Sequence, residues 1–132
     1  MGRSLKDRVA EYVDSERMRQ RLKVGDQISC LIDGNYGAYR TQVSLKKRSG
    51  SSCSCPSDYY PCKHVDALLQ TYRINPHSFL DFDVATNKKL AKMGRPELLQ
   101  LIRRMVIASP TSLSALDVKG FETEDANEYY DP

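Results

Sequence analysis

Apolar residues near the start of the chain recur at helical spacing. Ser4 is placed to cap a helix, and Asp7 follows in its first turn. The face of this helix carries the apolar residues Leu5, Val9, Tyr12 and Val13. The pattern predicts a helix from Ser4 to Leu22, ended by Gly25-Asp26. Its last turns and the residue after them are strongly basic, with Arg17, Arg19, Arg21 and Lys23.

The pattern changes to alternation between Gln27 and Lys46, which indicates two β-strands. The first strand has Ile28, Cys30 and Ile32 on one face. The second strand has on one face Tyr39, Thr41, Val43 and Leu45. Because Asp33-Gly34 lies between the alternating segments, a hairpin is favoured. We interpret Cys30 as a small buried hydrophobe.

Two more helices are predicted in the second half of the chain. One begins near Cys62, after Pro61, and carries an apolar stripe of Val65, Leu68, Leu69 and Tyr72. Asn75-Pro76 ends it, and the loop that follows is predicted to place in the core Phe79, Leu80 and Phe82. The other has Pro96 at its first position and extends to Pro110. Its apolar face consists of Leu98, Leu99, Ile102, Met105 and Val106.

Three cysteines and one histidine form two close pairs, Cys53-Ser54-Cys55 and, six residues later, Cys62-Lys63-His64. Alternate side chains of a strand point to one face, so Cys53 and Cys55 can reach the same ion. Cys62 and His64 lie where a helix starts, and free backbone N–H groups there favour thiolates. Four such donors are what a closed tetrahedral site requires. We therefore predict one structural Zn²⁺ per chain.

Other uses of these cysteines remain open at this point. Disulfides are disfavoured because no signal peptide is recognised, and because a bond between Cys53 and Cys55 would be strained. A catalytic cysteine paired with His64 needs an orienting acid, and only Asp66 is close in sequence. A catalytic zinc is disfavoured because four protein ligands leave no position for water.

The stretch from Cys53 to Tyr72 resembles a SWIM zinc finger, whose pattern is CxC, a variable gap, CxH and an apolar helix beginning at the last ligand. All four ligand positions are present. The resemblance implies a ββα-like finger in which strands lead into the CxC pair. SWIM modules occur in chromatin-remodelling and helicase-related proteins, transposases, ubiquitin ligases and small partners of recombinase paralogues. The resemblance therefore implies binding to DNA or to protein.

Together these elements predict an α+β fold. Residues 1–25 form an N-terminal helix, and residues 26–75 form a three-stranded antiparallel sheet with a zinc-anchored helix. Residues 76–120 form a C-terminal helical extension, and residues 121–132 a disordered acidic tail.

The chain divides into a basic body and an acidic tail. Its net charge is +3, but the segment from Phe121 to Pro132 contains five acidic residues and no Lys or Arg. Residues 1–120 therefore carry 20 basic and 12 acidic groups, a net charge of +8. A basic body suits nucleic acid, and an acidic tail opposes that binding.

Several function classes are not expected. The sequence has no apolar run of membrane-spanning length and no motif of an NTPase, hydrolase or dehydrogenase. We expect a protein that is not an enzyme and takes no small-molecule substrate. Free thiols suit a reducing compartment, so an intracellular location is expected, in the cytoplasm, nucleus or nucleoid.

These observations predict a nucleic-acid-binding module, with DNA favoured over RNA and a task in recombination or repair. The candidate contacts are the basic residues Lys46, Lys47, Arg48 and Lys63 and the aromatic residues Tyr59 and Tyr60. One of the two tyrosines could instead shield the metal. The alternative is a protein-interaction adaptor whose finger and flanking helices dock a partner such as an ATPase or a recombinase paralogue.

Overall fold

A computed structural model of the chain describes residues 5–47, 51–55 and 62–121, without the side chains of Leu5 and Lys6. The described residues up to Ala85 belong to one compact unit, and a second unit begins at Thr86. No helix in these ranges has the length and apolar character needed to cross a membrane. Some residues of the sequence predictions lie outside the described ranges, namely Ser4, Arg48, Tyr59, Tyr60, Pro61 and 122–132.

The first unit is a five-stranded sheet with two helices, which confirms the predicted α+β class. Its strands lie in the order β4-β3-β2-β1-β5, with neighbours antiparallel except that β5 runs parallel to β1. The prediction of three strands is wrong, because β1 and β5 extend the sheet beyond the hairpin. The elements are α1 (Leu5–Ala10), β1 (Met18–Val24), β2 (Gln27–Asp33), β3 (Ala38–Ser44), β4 (Ser52–Cys53), α2 (Lys63–Ile74) and β5 (Leu80–Asp81).

The β2–β3 hairpin forms as its alternation predicts. Ile28 pairs with Val43 and Cys30 with Thr41, and all four side chains are fully buried. Four residues connect the strands, closed by a hydrogen bond from the Gly34 N–H to the Gly37 carbonyl at 2.8 Å. The apolar face of this hairpin lies under α2, whose buried residues Val65, Leu68 and Leu69 confirm the predicted stripe.

The N-terminal helix is shorter than predicted. Only Leu5–Ala10 is helical, and Met18–Val24 forms β1, so the prediction of helix as far as Leu22 is wrong. A helix in a protein gains most of its stability from packing of its apolar face, whereas residues 18–24 gain backbone hydrogen bonds along β2. Gly25 begins the two-residue connection to β2 at φ +58°, a conformation that favours glycine.

Helices α1 and α2 lie together against the buried face of the sheet. Val9 and Tyr12 belong to the core, and the Asp14 N–H donates to the Thr71 hydroxyl of α2 at 2.9 Å. Tyr72 meets Phe79 edge to face, with ring centroids 5.3 Å apart. Phe79 is buried as predicted, whereas Leu80 lies in the edge strand β5 and is 58% exposed, and Phe82 is only partly buried.

The elements that follow β5 are all helical. They are α3 (Phe82–Ala91), α4 (Arg95–Ala108) and a 3-10 helix, Pro110–Leu116. Helix α4 starts after Gly94 with a proline in its first turn, as predicted. Helix α3 begins at Phe82, within the segment that was expected to be a loop. None of these three elements contains a buried residue.

Candidate metal centre

The pairing of β3 with β4 positions the first two sulfurs. Cys53 lies opposite Thr41, on the buried face of the sheet. Ser54 is bound to Arg40 by two hydrogen bonds, its N–H donating to the Arg40 carbonyl at 3.1 Å and its Oγ accepting from the Arg40 N–H at 3.0 Å. With Ser54 held at the strand edge, Cys53 and Cys55 turn to the same side.

The start of α2 positions the other two donors. Cys62 is the N-cap residue in an extended conformation, and its carbonyl accepts hydrogen bonds from the N–H groups of Val65 and Asp66. His64 follows in the first turn and is 3% exposed. The helix therefore begins between the two ligands of the CxH pair, which places both side chains toward β4.

The four donor atoms form a compact group. The sulfurs of Cys53, Cys55 and Cys62 and a ring nitrogen of His64 all lie within 4.8 Å of one another. His64 Nδ1 is 3.6 Å from Cys53 Sγ and 3.9 Å from Cys62 Sγ. A tetrahedral zinc ion separates its sulfur and nitrogen ligands by about 3.6 Å, so the donor set fits Zn²⁺ held through Nδ1. One structural zinc ion with no open position follows from this set.

The thiols of this group perturb one another strongly. Hydrogen bonds from the thiols of Cys53 and Cys55 lower the pKa of Cys62, with smaller contributions from His64 and the Val65 backbone. The hydrogen bond with the Cys55 thiol raises the pKa of Cys53, and the hydrogen bond with Cys62 and burial raise it further. Zinc binding therefore requires release of protons from this group, as all three thiolates coordinate the ion.

Cys30 lies outside the metal group. Burial raises the pKa of its thiol to about 12, so it remains protonated at neutral pH. Its side chain is fully buried in the core between the sheet and α2. Both observations agree with its interpretation as a small buried hydrophobe.

Thr41 and Tyr12 support the ligands, and the sequence predictions gave neither of them this role. The Thr41 hydroxyl lies 3.1 Å from Cys53 Sγ in a fully buried position, where it can donate to a zinc-bound thiolate. The position of Thr41, a polar residue on the apolar face of a predicted strand, was the feature of the sequence that could have indicated this role. The Tyr12 ring meets the His64 ring edge to face at 5.0 Å, and no local pattern indicates this contact, since the two residues are distant in sequence.

Two aromatic side chains pack against the His64 ring. Tyr39 lies 5.5 Å from it, ring centroid to ring centroid, in addition to Tyr12. His64 Nε2 is buried and has no hydrogen-bond partner among the described residues. Most metal-bound histidines donate this second N–H to an oxygen. Here the orientation of the ring depends on packing against Tyr12 and Tyr39.

Two cations converge on Tyr12. The Arg17 guanidinium carbon is 4.7 Å from the centre of the Tyr12 ring, and Lys63 Nζ is 5.5 Å from the same point. Arg17 is held by Nε donating to the Asp33 carbonyl at 2.8 Å and by a bond to Asn35 Oδ1 at 3.4 Å. We name Arg17 and Lys63 the tyrosine-bound cations. Neither forms an ion pair with a carboxylate of the described residues.

Neighbouring basic residues of β1 are paired with acids. Arg19 binds the Asp33 carboxylate through two hydrogen bonds, at 2.7 and 2.6 Å, which lower the pKa of Asp33. Arg21 bonds to Asp14 at 2.6 Å, and this hydrogen bond lowers the pKa of Asp14. These arginines therefore have local partners for their charge.

Lys46 and Lys47 follow the end of β3, outside the part of this strand that pairs with β4. Strand β3 ends at Ser44, three residues and about 10 Å beyond Thr41, the residue that contacts Cys53. Lys46 lies past this end and pairs with Asp26 at 3.1 Å, beside the β1–β2 turn. The other predicted nucleic-acid contacts, Arg48, Tyr59 and Tyr60, lie outside the described residues.

Comparison with protein families matches residues 39–73 to the SWIM zinc finger. The matched range extends from β3 to the last turn of α2 and includes all four donors. Comparison with curated proteins and with solved structures found no match.

Proposed function

We propose that this chain, which contains a SWIM zinc finger at residues 39–73, binds nucleic acid through the surface beside its zinc site. The convergence of Arg17 and Lys63 over Tyr12 is the observation that carries the proposal. Zinc maintains the shape of this surface and performs no chemistry there, since its four ligands leave no open position. The proposed module is therefore not an enzyme.

The charge of the zinc site itself is too small to account for both cations. Three thiolates and one Zn²⁺ have a formal charge of −1. Arg17 and Lys63 together exceed that charge by one, and neither forms an ion pair among the described residues. The Asp33 carboxylate interacts with Arg17 at longer range and is bound by Arg19. The excess positive charge is available to phosphate. Resemblance to small SWIM partners of recombinase paralogues supports DNA before RNA, and a task in recombination or repair.

Arg17→Gln combined with Lys63→Gln should weaken nucleic-acid binding and reduce its dependence on salt. Each lost phosphate contact lowers the slope of log K against log salt by about 0.7–0.9, so the double variant should lower it by roughly 1.4–1.8. The measurement is a salt series of binding to labelled single-stranded DNA, duplex DNA and RNA. Zinc content must stay at one ion per chain.

Lys46→Gln combined with Lys47→Gln is the matched control, since it removes the same charge beyond the other end of β3. It should leave the salt slope nearly unchanged. A slope that flattens only in this control would place the contact surface at the loop predicted from the sequence. If the wild-type protein binds none of the three nucleic acids at low salt, the proposed function is wrong.

Removal of the acidic segment from Phe121 to Pro132 should tighten nucleic-acid binding. The deletion removes five negative charges and no positive ones. The gain should be largest at low salt, where the screening length is longest, and should shrink as salt rises. A full-length variant in which the five acidic residues of this segment are changed to Asn or Gln separates the effect of charge from the effect of chain length. Equal binding by all three proteins at low salt would contradict an opposing role for the segment.

A further inference from the structure

The helical unit that begins at Thr86 has no core of its own among the described residues. No residue of α3, α4 or the 3-10 helix Pro110–Leu116 is buried. Helices in proteins gain most of their stability from packing of an apolar face. A 14-residue amphipathic helix such as α4 therefore has an apolar face that a partner can cover.

Three of the exposed apolar side chains of α4 follow one another at a spacing of three residues, and Ile107 is exposed on another side of the helix. Leu99, Ile102 and Met105 are 43%, 47% and 58% exposed. The 3-10 helix contacts α4, and the neighbouring Leu98 and Val106 are half-buried. We name Leu99, Ile102 and Met105 the α4 row. A row one helix wide fits the apolar face of a single partner helix.

The α4 row lies in a strongly basic environment. Arg95 precedes Leu99 by one helical turn and Arg103 follows it by one turn, and both are exposed. Glu97 and Asp117 are the acidic residues of the range 86–121. The basic residues of the same range are Lys88, Lys89, Lys92, Arg95, Arg103, Arg104 and Lys119. The partner surface should therefore be acidic as well as apolar.

We propose that α4 docks an acidic amphipathic helix of a partner protein. The apolar face of that helix covers the α4 row, and its carboxylates face Arg95 and Arg103. This interaction is independent of the zinc site and goes beyond the proposed nucleic-acid function.

Charge and shape favour this occupant over the others. If two copies of this chain met through residues 86–121, each would oppose seven basic and two acidic residues to the same set, and the two surfaces would repel. Phosphates of a nucleic acid would bind the arginines but would leave the apolar side chains of Ile102 and Met105 exposed to water. An anionic membrane favours a broad apolar face with aromatic residues, whereas the α4 row is narrow and purely aliphatic.

The test uses the full zinc-loaded chain and a synthetic helical peptide of about 20 residues, long enough to be helical in water. The peptide has leucines at helical spacing, glutamates beside them and alanines elsewhere, so that few glutamates repel one another along the helix. A scrambled peptide of the same composition and a lysine version are the controls. Fluorescence anisotropy should show the leucine–glutamate helix binding at least tenfold more tightly than either.

Two isoleucines of α4 form a matched pair of variants. Ile102→Ala should weaken peptide binding about tenfold, as expected when an anchor in the interface loses about 1.4 kcal/mol. Ile107→Ala should have no effect, because Ile107 lies outside the row although it is 83% exposed. Arg103→Gln should weaken binding most at low salt. Circular dichroism and zinc content verify that each variant is folded.

Each other outcome overturns the proposal. Equal binding of the ordered and scrambled peptides would mean that charge alone is recognised. Self-association abolished by Ile102→Ala, measured by sedimentation, would make a second copy the occupant. Binding to anionic vesicles but not to the peptide would make it a membrane surface. No peptide binding, together with a less stable finger in Ile102→Ala, would mean that this chain covers its own α4 row.

Discussion

Replacement of Cys62 by alanine is expected to remove the zinc ion from the protein. Cys62 is buried, caps α2 and supplies one of the four donors. Its loss should lower zinc affinity by more than about 100-fold, beyond the 10–100-fold typical of residues that only support a ligand. Native mass spectrometry should show one zinc ion per wild-type chain and none in the variant. Chelator competition measures the affinity.

Loss of zinc should also loosen the packing around α2. The first turn of this helix carries His64 and Val65, and the next turn contributes Leu68 to the core. Hydrogen exchange across residues 62–74 should therefore rise in Cys62→Ala. Unchanged protection there would show that the metal contributes nothing to the fold.

Cys30→Ala is the control for this prediction, because it removes a buried thiol from the same unit without touching the metal group. We expect one zinc ion per chain and a free energy of unfolding lowered by roughly 1 kcal/mol. Zinc lost from a folded Cys30→Ala protein, or a full complement of zinc in Cys62→Ala, would show that the ligand set is wrong.

Replacement of Tyr12 by alanine is expected to be the most destabilising change outside the ligands. Tyr12 is fully buried, its ring contacts His64, and both tyrosine-bound cations lie over it. Removal of a buried aromatic ring costs about 3–5 kcal/mol. Zinc affinity should fall by about tenfold, because the His64 ring then loses part of its support. Denaturant unfolding and chelator competition measure the two effects.

Tyr12→Phe separates the ring from its hydroxyl. The Tyr12 hydroxyl is buried and has no hydrogen-bond partner among the described residues. Its removal should therefore leave stability unchanged or raise it slightly, with zinc affinity as in the wild type. If Tyr12→Phe were as damaging as Tyr12→Ala, the hydroxyl would have a hydrogen-bond partner beyond the described residues.

Local features of the sequence were enough to predict several parts of this protein. Alternation places Ile28, Cys30 and Ile32 in the core, and the helical spacing of Val65, Leu68 and Leu69 gives the buried face of α2. The zinc donors are predictable because their orientation also depends on local structure. Each pair is oriented by its own short segment, one by a strand and the other by the start of a helix.

Contacts between distant segments could not be predicted in this way. Residues 18–24 form a strand because their backbone groups hydrogen-bond to β2. The hydrophobic pattern of residues 18–24 alone does not predict this pairing. The same pairing bonds Arg17 to the Asp33 carbonyl, and the packing of α1 against α2 brings Tyr12 to His64.

The sequence by itself determined the metal ligands and the elements that carry them, because strand alternation and helix periodicity act over a few residues. Only the tertiary structure decided that Arg17 joins Lys63 beside the zinc site while Lys46 lies past the far end of β3. Strand register and helix packing set those distances, and both depend on partners that are remote along the chain.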